Sequence, residues 1–118
     1  MDGEIGPDEL ATLRAEGAEP LVVDIRNPHA FRQAHIPDSE NVPFQELPQA
    51  VDRVADADHV VTVCPHGKAS IKAARLVAAY EDFDGTVESL AGGLEAWDGP
   101  LAEATESVTS DEGPSAPF

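Results

Sequence analysis

Cys64 is the only cysteine among 118 residues. It falls where the apolar run His59-Val60-Val61-Thr62-Val63 gives way to Pro65-His66-Gly67-Lys68-Ala69 and then to a helical pattern. A thiol between the carboxyl end of a strand and the amino end of a helix meets backbone N–H groups and the positive end of the helix dipole. Both favour an anion, so the placement suits a thiolate nucleophile. A buried structural cysteine is the alternative, because a free thiol packs as a small hydrophobe. Pro, Gly and Lys within the next four residues argue for an exposed loop.

The same loop supplies further groups. Successive N–H groups from His66 through Gly67, Lys68 and Ala69 to Ser70 can wrap an anion beside Cys64, lowering its pKa and stabilising charge as it develops. Lys68, one of only two lysines, adds a cation to that nest, unless it is simply a solvated loop residue. His66 can act as acid, base or donor, although a loop histidine is more often incidental.

A cysteine so placed needs a parallel sheet to hold it, and the chain alternates helical and strand patterns throughout. Gly6 to Arg14 reads as a helix with Pro7 and acids in its first turn, and Leu21-Val22-Val23-Asp24-Ile25 as a strand buried on both faces. Pro28 to Ala34 can form a short helix, Asn41-Val42-Pro43 a very short strand, and Phe44 to Ala55 a helix whose start Pro48 delays or bends. The strand at 59–63 is followed by a helix from Ser70 to about Tyr80, with Ile71, Ala74, Val77 and Ala78 as its packing stripe. Thr86 to Leu90 reads as a strand and Gly93 to Trp97 as a last short helix. This order predicts an α/β domain with a parallel sheet covered by helices.

One domain, residues 1–100, accounts for the patterned part of the chain. Residues 101–118 are acidic, rich in Ser and Thr, and carry Pro114 and Pro117, so they are predicted to be a disordered tail. A single cysteine excludes an internal disulfide, a Cys-cluster zinc site and a second, resolving thiol. No metal and no cofactor is expected. No apolar run approaches the ~20 residues that span a bilayer, and Met1-Asp2-Gly3-Glu4 lacks the basic and apolar regions of a signal peptide. The expectation is a soluble cytoplasmic protein.

Charge narrows the partners. With 23 acidic against 7 basic residues the net charge is −16, which repels nucleic acid and anionic membranes, and neither is expected as a partner. The acids are dispersed, whereas an interaction surface for a basic partner would gather them in one block. Dispersed acidity with little lysine predicts a halophilic source, since concentrated salt screens such self-repulsion within ~3 Å.

Three stretches together resemble rhodanese-like domains. Asp24-Ile25-Arg26-Asn27-Pro28-His29-Ala30-Phe31-Arg32-Gln33-Ala34-His35-Ile36-Pro37, with Asn41-Val42-Pro43, resembles that family's first signature. The cysteine loop from Cys64 to Ser70 and the segment Leu90-Ala91-Gly92-Gly93-Leu94-Glu95-Ala96-Trp97 match its later motifs in the right order. The resemblance implies a three-layer fold, a five-stranded parallel sheet with helices on both faces, and a sulfurtransferase. In that reaction Cys64 takes a sulfane sulfur from a donor such as thiosulfate, holds it as a persulfide, and passes it to cyanide or a thiol, including a protein acceptor. His66, Gly67, Lys68, Ala69 and Ser70 would bind the sulfur substrate. Asp24 and Arg26 would support the site, either as a buried ion pair or as a solvated Arg26 with Asp24 accepting loop N–H bonds.

Departures from the family pattern weigh on the substrate. Many single-domain members carry Arg where this chain has Pro65 and Ala69, and losing both removes bidentate anion recognition that Lys68 replaces only in part. Ala30, Ala34 and Asp38 also depart from the pattern, in ways that read as structural. His35 and Trp97 read as structural residues, and Gly92-Gly93 as a tight turn beside the active loop. A related phosphatase would need an Arg where Ser70 stands and a His in place of Val63. The remaining alternative is a non-catalytic rhodanese-like binding or regulatory module.

Overall fold

The computed structural model describes residues 3–18 and 20–103. One sheet of five parallel strands contains β1 (Glu4–Ile5), β2 (Leu21–Asp24), β3 (Glu40–Asn41), β4 (His59–Val63) and β5 (Thr86–Leu90), in the spatial order β1-β5-β4-β2-β3. The connections carry α1 (Pro7–Ala15), α2 (Pro28–Gln33), α3 (Leu47–Val54) and α4 (Ala69–Ala79), with 3-10 turns at Phe44–Glu46 and Leu94–Ala96.

The valine-rich strands alternate their side chains between two apolar layers, as a parallel sheet covered on both faces requires. On one face Val23, Val60, Val87 and Cys64 pack with Leu47, Val51 and Val54 of α3 and Ala73, Ala74 and Val77 of α4. On the other, Val22, Val61, Val63 and Leu90 pack with Leu10 of α1, Ile36 and Trp97. The three-layer α/β architecture expected from the sequence is therefore the one observed.

Local differences have local causes. β1 was not anticipated: two residues at a sheet edge, held by pairing with Ser89 and Leu90, carry no readable periodicity. Pro48 lies in the first turn of α3, where its missing N–H costs no helical bond, and Phe44–Glu46 becomes a 3-10 turn ahead of it. The inward stripe of α4 is Ser70, Ala73, Ala74 and Val77, while Ile71 is half-buried and Ala78 exposed. The helix is thus turned about one residue from the predicted face, which brings the Ser70 side chain inward, toward Cys64.

Backbone pairing continues just past residue 100, where the sequence placed the end of the domain. Ala102 forms an antiparallel bridge with His35, its N–H reaching the His35 carbonyl at 2.7 Å and its carbonyl accepting the His35 N–H at 2.9 Å. The disorder predicted for the rest of the tail falls on residues 104–118, which lie outside the described residues. Among the described residues no helix is long and apolar enough to cross a membrane.

Candidate active site

Chain direction places the cysteine at the switch point of the sheet. β2 leads outward to β3 on one side and β4 leads to β5 on the other, so the connections diverge above the carboxyl ends of β2 and β4. Open parallel sheets bind ligands at this kind of switch point. Cys64 directly follows β4 there, and Asp24 ends β2 in register with Val63.

The thiol is 2% exposed, yet it is surrounded by donors rather than by hydrocarbon alone. The Gly67 N–H points at Sγ from 3.1 Å and the Ser70 N–H from 3.3 Å. The Ser70 hydroxyl also stands 3.3 Å from Sγ and can donate to it once the thiol ionises. Burial pushes the thiol pKa up, but the Ser70 hydroxyl and backbone bonds from Ser70, His66 and Gly67 outweigh it, leaving the pKa below its usual value. Burial of Cys64 therefore does not oppose thiolate formation as an apolar surrounding would.

A second turn locks the loop. The Leu94 N–H donates to the Cys64 carbonyl at 2.8 Å, and the Glu95 N–H to the Pro65 carbonyl at 3.1 Å. Gly67, Gly92 and Gly93 all have positive φ, at 82°, 75° and 69°. The contact is backbone on backbone: a Cβ at Gly93 would lie 2.4 Å from the Cys64 oxygen and 2.5 Å from the Gly67 nitrogen. Glycine is needed here for both conformation and space.

The predicted substrate residues separate into two groups. Gly67 and Ser70 converge on the sulfur, joined by the His66 backbone, whereas the side chains of His66, Lys68 and Ala69 are exposed. His66 Nδ1 stands 3.5 Å from a carboxylate oxygen of Glu95. Lys68 occupies the N-cap position of α4 and Ala69 its first residue.

Of the two arrangements considered for Asp24 and Arg26, the buried ion pair is found, and it braces a different loop. Asp24 is 1% exposed and Arg26 11%; the guanidinium meets the carboxylate at 2.8, 3.0 and 3.1 Å. Arg26 also donates to the Ala34 carbonyl, while the Asn41 side chain donates to the carbonyls of Asp24 and Arg26. These bonds shape the connection from residue 26 to 41. His35 is structural as expected, with Nδ1 2.7 Å from the Phe31 carbonyl oxygen and its ring stacked on Phe31. Trp97 is core, and Asp38 adopts a left-handed φ of 68° that Asp tolerates better than most side chains.

Sequence reasoning missed two buried hydroxyls beneath the loop, Thr62 and Ser89. Thr62 Oγ1 donates to the Ser70 carbonyl at 2.7 Å, and the Ser89 and Ser70 hydroxyls are 2.6 Å apart. A signal was present: Thr62 shares the strand parity of Val60 and Cys64, and Ser89 that of Val87, so both had to face the helical layer. Clefts of about 400 and 460 Å³ occur elsewhere, beside Arg14, Leu21 and Asp38 and beside Ile5, Asp8 and Glu88; neither is lined by residues 64–70. Among the described residues no cluster of His, Cys, Asp and Glu can hold a metal ion.

Comparison with known proteins agrees with this geometry. The family model of the rhodanese-like domain matches residues 6–99. The chain is 38% identical over 94 residues to thiosulfate sulfurtransferase GlpE of Pseudomonas syringae pv. syringae, covering 79% of this chain and 84% of the relative. It is 38% identical over 96 residues to the GlpE of Pseudomonas aeruginosa, covering 79% and 81%. A rhodanese-like domain protein from Staphylococcus aureus superposes with a TM-score of 0.78 over 87% of this chain and 99% of that one, at 24% identity, and supports the fold. The chain belongs to the rhodanese-like domain family and is a sulfurtransferase of the rhodanese type.

Proposed function

We propose that Cys64 accepts a sulfane sulfur from thiosulfate or a similar anion, carries it as a persulfide, and delivers it to cyanide or a thiol. The observation that carries this reading is the convergence of the Gly67 N–H, the Ser70 N–H and the Ser70 hydroxyl on one buried sulfur. These groups favour the thiolate form of the nucleophile and can stabilise the charge on the persulfide that follows.

With thiosulfate, the thiolate attacks the outer sulfur, forming an S–S bond as the bond to the sulfonate sulfur breaks. Sulfite leaves with that electron pair, and the persulfide anion keeps the charge. Cyanide then attacks the outer sulfur, thiocyanate departs, and the Cys64 thiolate is restored. Donor recognition falls to Lys68 and the loop amides, because Pro65 and Ala69 provide no guanidinium. A lysine at a helix N-cap opposes the helix dipole, so its position favours anion binding over helix stability. Dispersed acidity supports a working environment of cytoplasm rich in salt.

The deep burial of Cys64 and the lack of loop arginines favour a second reading, a binding module that performs no transfer. Intact-mass analysis after incubation with thiosulfate or another sulfane donor separates the two. A gain of one sulfur atom, absent from Cys64→Ser, supports the carrier; no adduct with any donor supports the binding module.

A further inference from the structure

We infer that Ser89 is a positioning residue for the reaction, acting through Ser70 to aim the hydroxyl that holds the Cys64 thiolate. The inference rests on Cys64 being the nucleophile. Ser70 and Ser89 are both fully buried or nearly so, as is Thr62, beside a layer of apolar side chains. A hydroxyl placed there needs partners, because a buried unpaired one is costly. Thr62 and Ser89 are cross-strand neighbours in the register of β4 and β5. They grip Ser70 from two sides, Thr62 through its carbonyl at 2.7 Å and Ser89 through its hydroxyl at 2.6 Å.

The direction of the Ser70 proton is the point at issue. Its hydroxyl stands between two acceptors, Cys64 Sγ at 3.3 Å and Ser89 Oγ at 2.6 Å, and it has one proton to give. When Ser89 donates to Ser70, the Ser70 proton is left for the sulfur. That chain is polarised by the thiolate at its end, so each bond strengthens the other. When Cys64 is a neutral thiol, the chain can reverse, with Ser70 donating to Ser89. Ser89 therefore favours the ionised state without touching the sulfur. The ionisable side chains around Cys64 are His66 and Lys68 on its loop, Glu95 on the turn packed over it, and Asp24 with Arg26 at the end of β2. Each acts from the rim or from the neighbouring strand end, whereas Ser89 acts from the sheet side.

The test is the pH midpoint for alkylation of Cys64 by iodoacetamide in the full chain, with fold monitored by circular dichroism. Ser89→Ala should raise the midpoint by about half a unit and Ser70→Ala by about one unit. Added to Ser70→Ala, Ser89→Ala should shift it no further, because its path runs through the missing hydroxyl. An unchanged midpoint in folded Ser89→Ala, or an equal shift with and without Ser70, overturns the inference. Should Ser89→Ala not fold, the unmodified chain decides: the Ser89 hydroxyl proton, followed by NMR, must change shift at the thiol midpoint, and a flat profile overturns the inference. This readout requires no sulfur transfer. A midpoint that responds to Ser89 in a protein that takes up no sulfur would sink the proposed activity and leave only the link from Ser89 through Ser70 to the thiolate.

Discussion

Gly93 lies against Cys64 so closely that a single Cβ on Gly93 would stand 2.4 Å from the Cys64 carbonyl oxygen. That oxygen already accepts the Leu94 N–H, so neither backbone can withdraw without breaking a bond that fixes the loop. Besides the overlap, Gly93→Ala puts a side chain on backbone held at φ 69°, which L residues rarely adopt. A loss of about 3 kcal/mol or more is expected in denaturant unfolding, together with loss of persulfide formation. A folded Gly93→Ala that is loaded with sulfur at the normal rate would contradict this account.

The depressed pKa of Cys64 ties stability to pH with a definite sign. Its cause is donation from Ser70, His66 and Gly67 to the sulfur, which overcomes burial. A depressed group stabilises the native state fully above its unfolded pKa, about 8.5 for a thiol, and that contribution is lost as pH falls through the folded value. The unfolded chain binds more protons within this window, so stability should rise with pH there. The measurable quantity is the difference in unfolding free energy between the native sequence and Cys64→Ser. It should grow as pH rises from the folded midpoint to about 8.5 and level off beyond.

The valines of β4 made it readable to the residue, since a strand buried on both faces must be apolar at nearly every position; β5 was readable from Val87 and Leu90 after the turn at Gly85, although three of its five residues are polar. Cys64, Gly67 and Ser70 were legible as a loop because an anion nest needs successive amides and a glycine. Thr62 and Ser89 were not, because a lone hydroxyl inside a strand is ordinary in sequence and becomes informative only beside another. The turned face of α4 has the same origin. Alanines lie on several sides of that helix, so apolar content alone could not say that Ser70 faces inward.

Asp24 and Arg26 offer a control that separates fold from chemistry. Their buried pair braces the connection that runs from residue 26 to 41, through Ala34 and Asn41. Asp24→Asn leaves the Arg26 charge without its carboxylate in a site 11% exposed, and about 3 kcal/mol of stability should be lost. The alkylation midpoint of Cys64 should stay where it is in the folded fraction. A midpoint moved by more than about 0.3 units would mean that the pair also acts on the thiolate.

Salt should act on thiosulfate turnover through the imbalance between one rim cation and the charge of the whole chain. At a net charge of −16 the protein repels a dianion over about 10 Å at 0.1 M ionic strength and over about 3 Å at 1 M. The local attraction of Lys68 operates at shorter range and is weakened less. Turnover should therefore rise from ~0.1 M toward molar salt while circular dichroism shows an unchanged fold. Lys68→Gln should raise KM for thiosulfate roughly threefold to tenfold at low salt and by less at high salt, with kcat changed little, because the cation gathers the donor without touching the S–S bond that forms. If turnover is flat in salt and Lys68→Gln leaves KM unchanged, donor capture belongs to the loop amides alone.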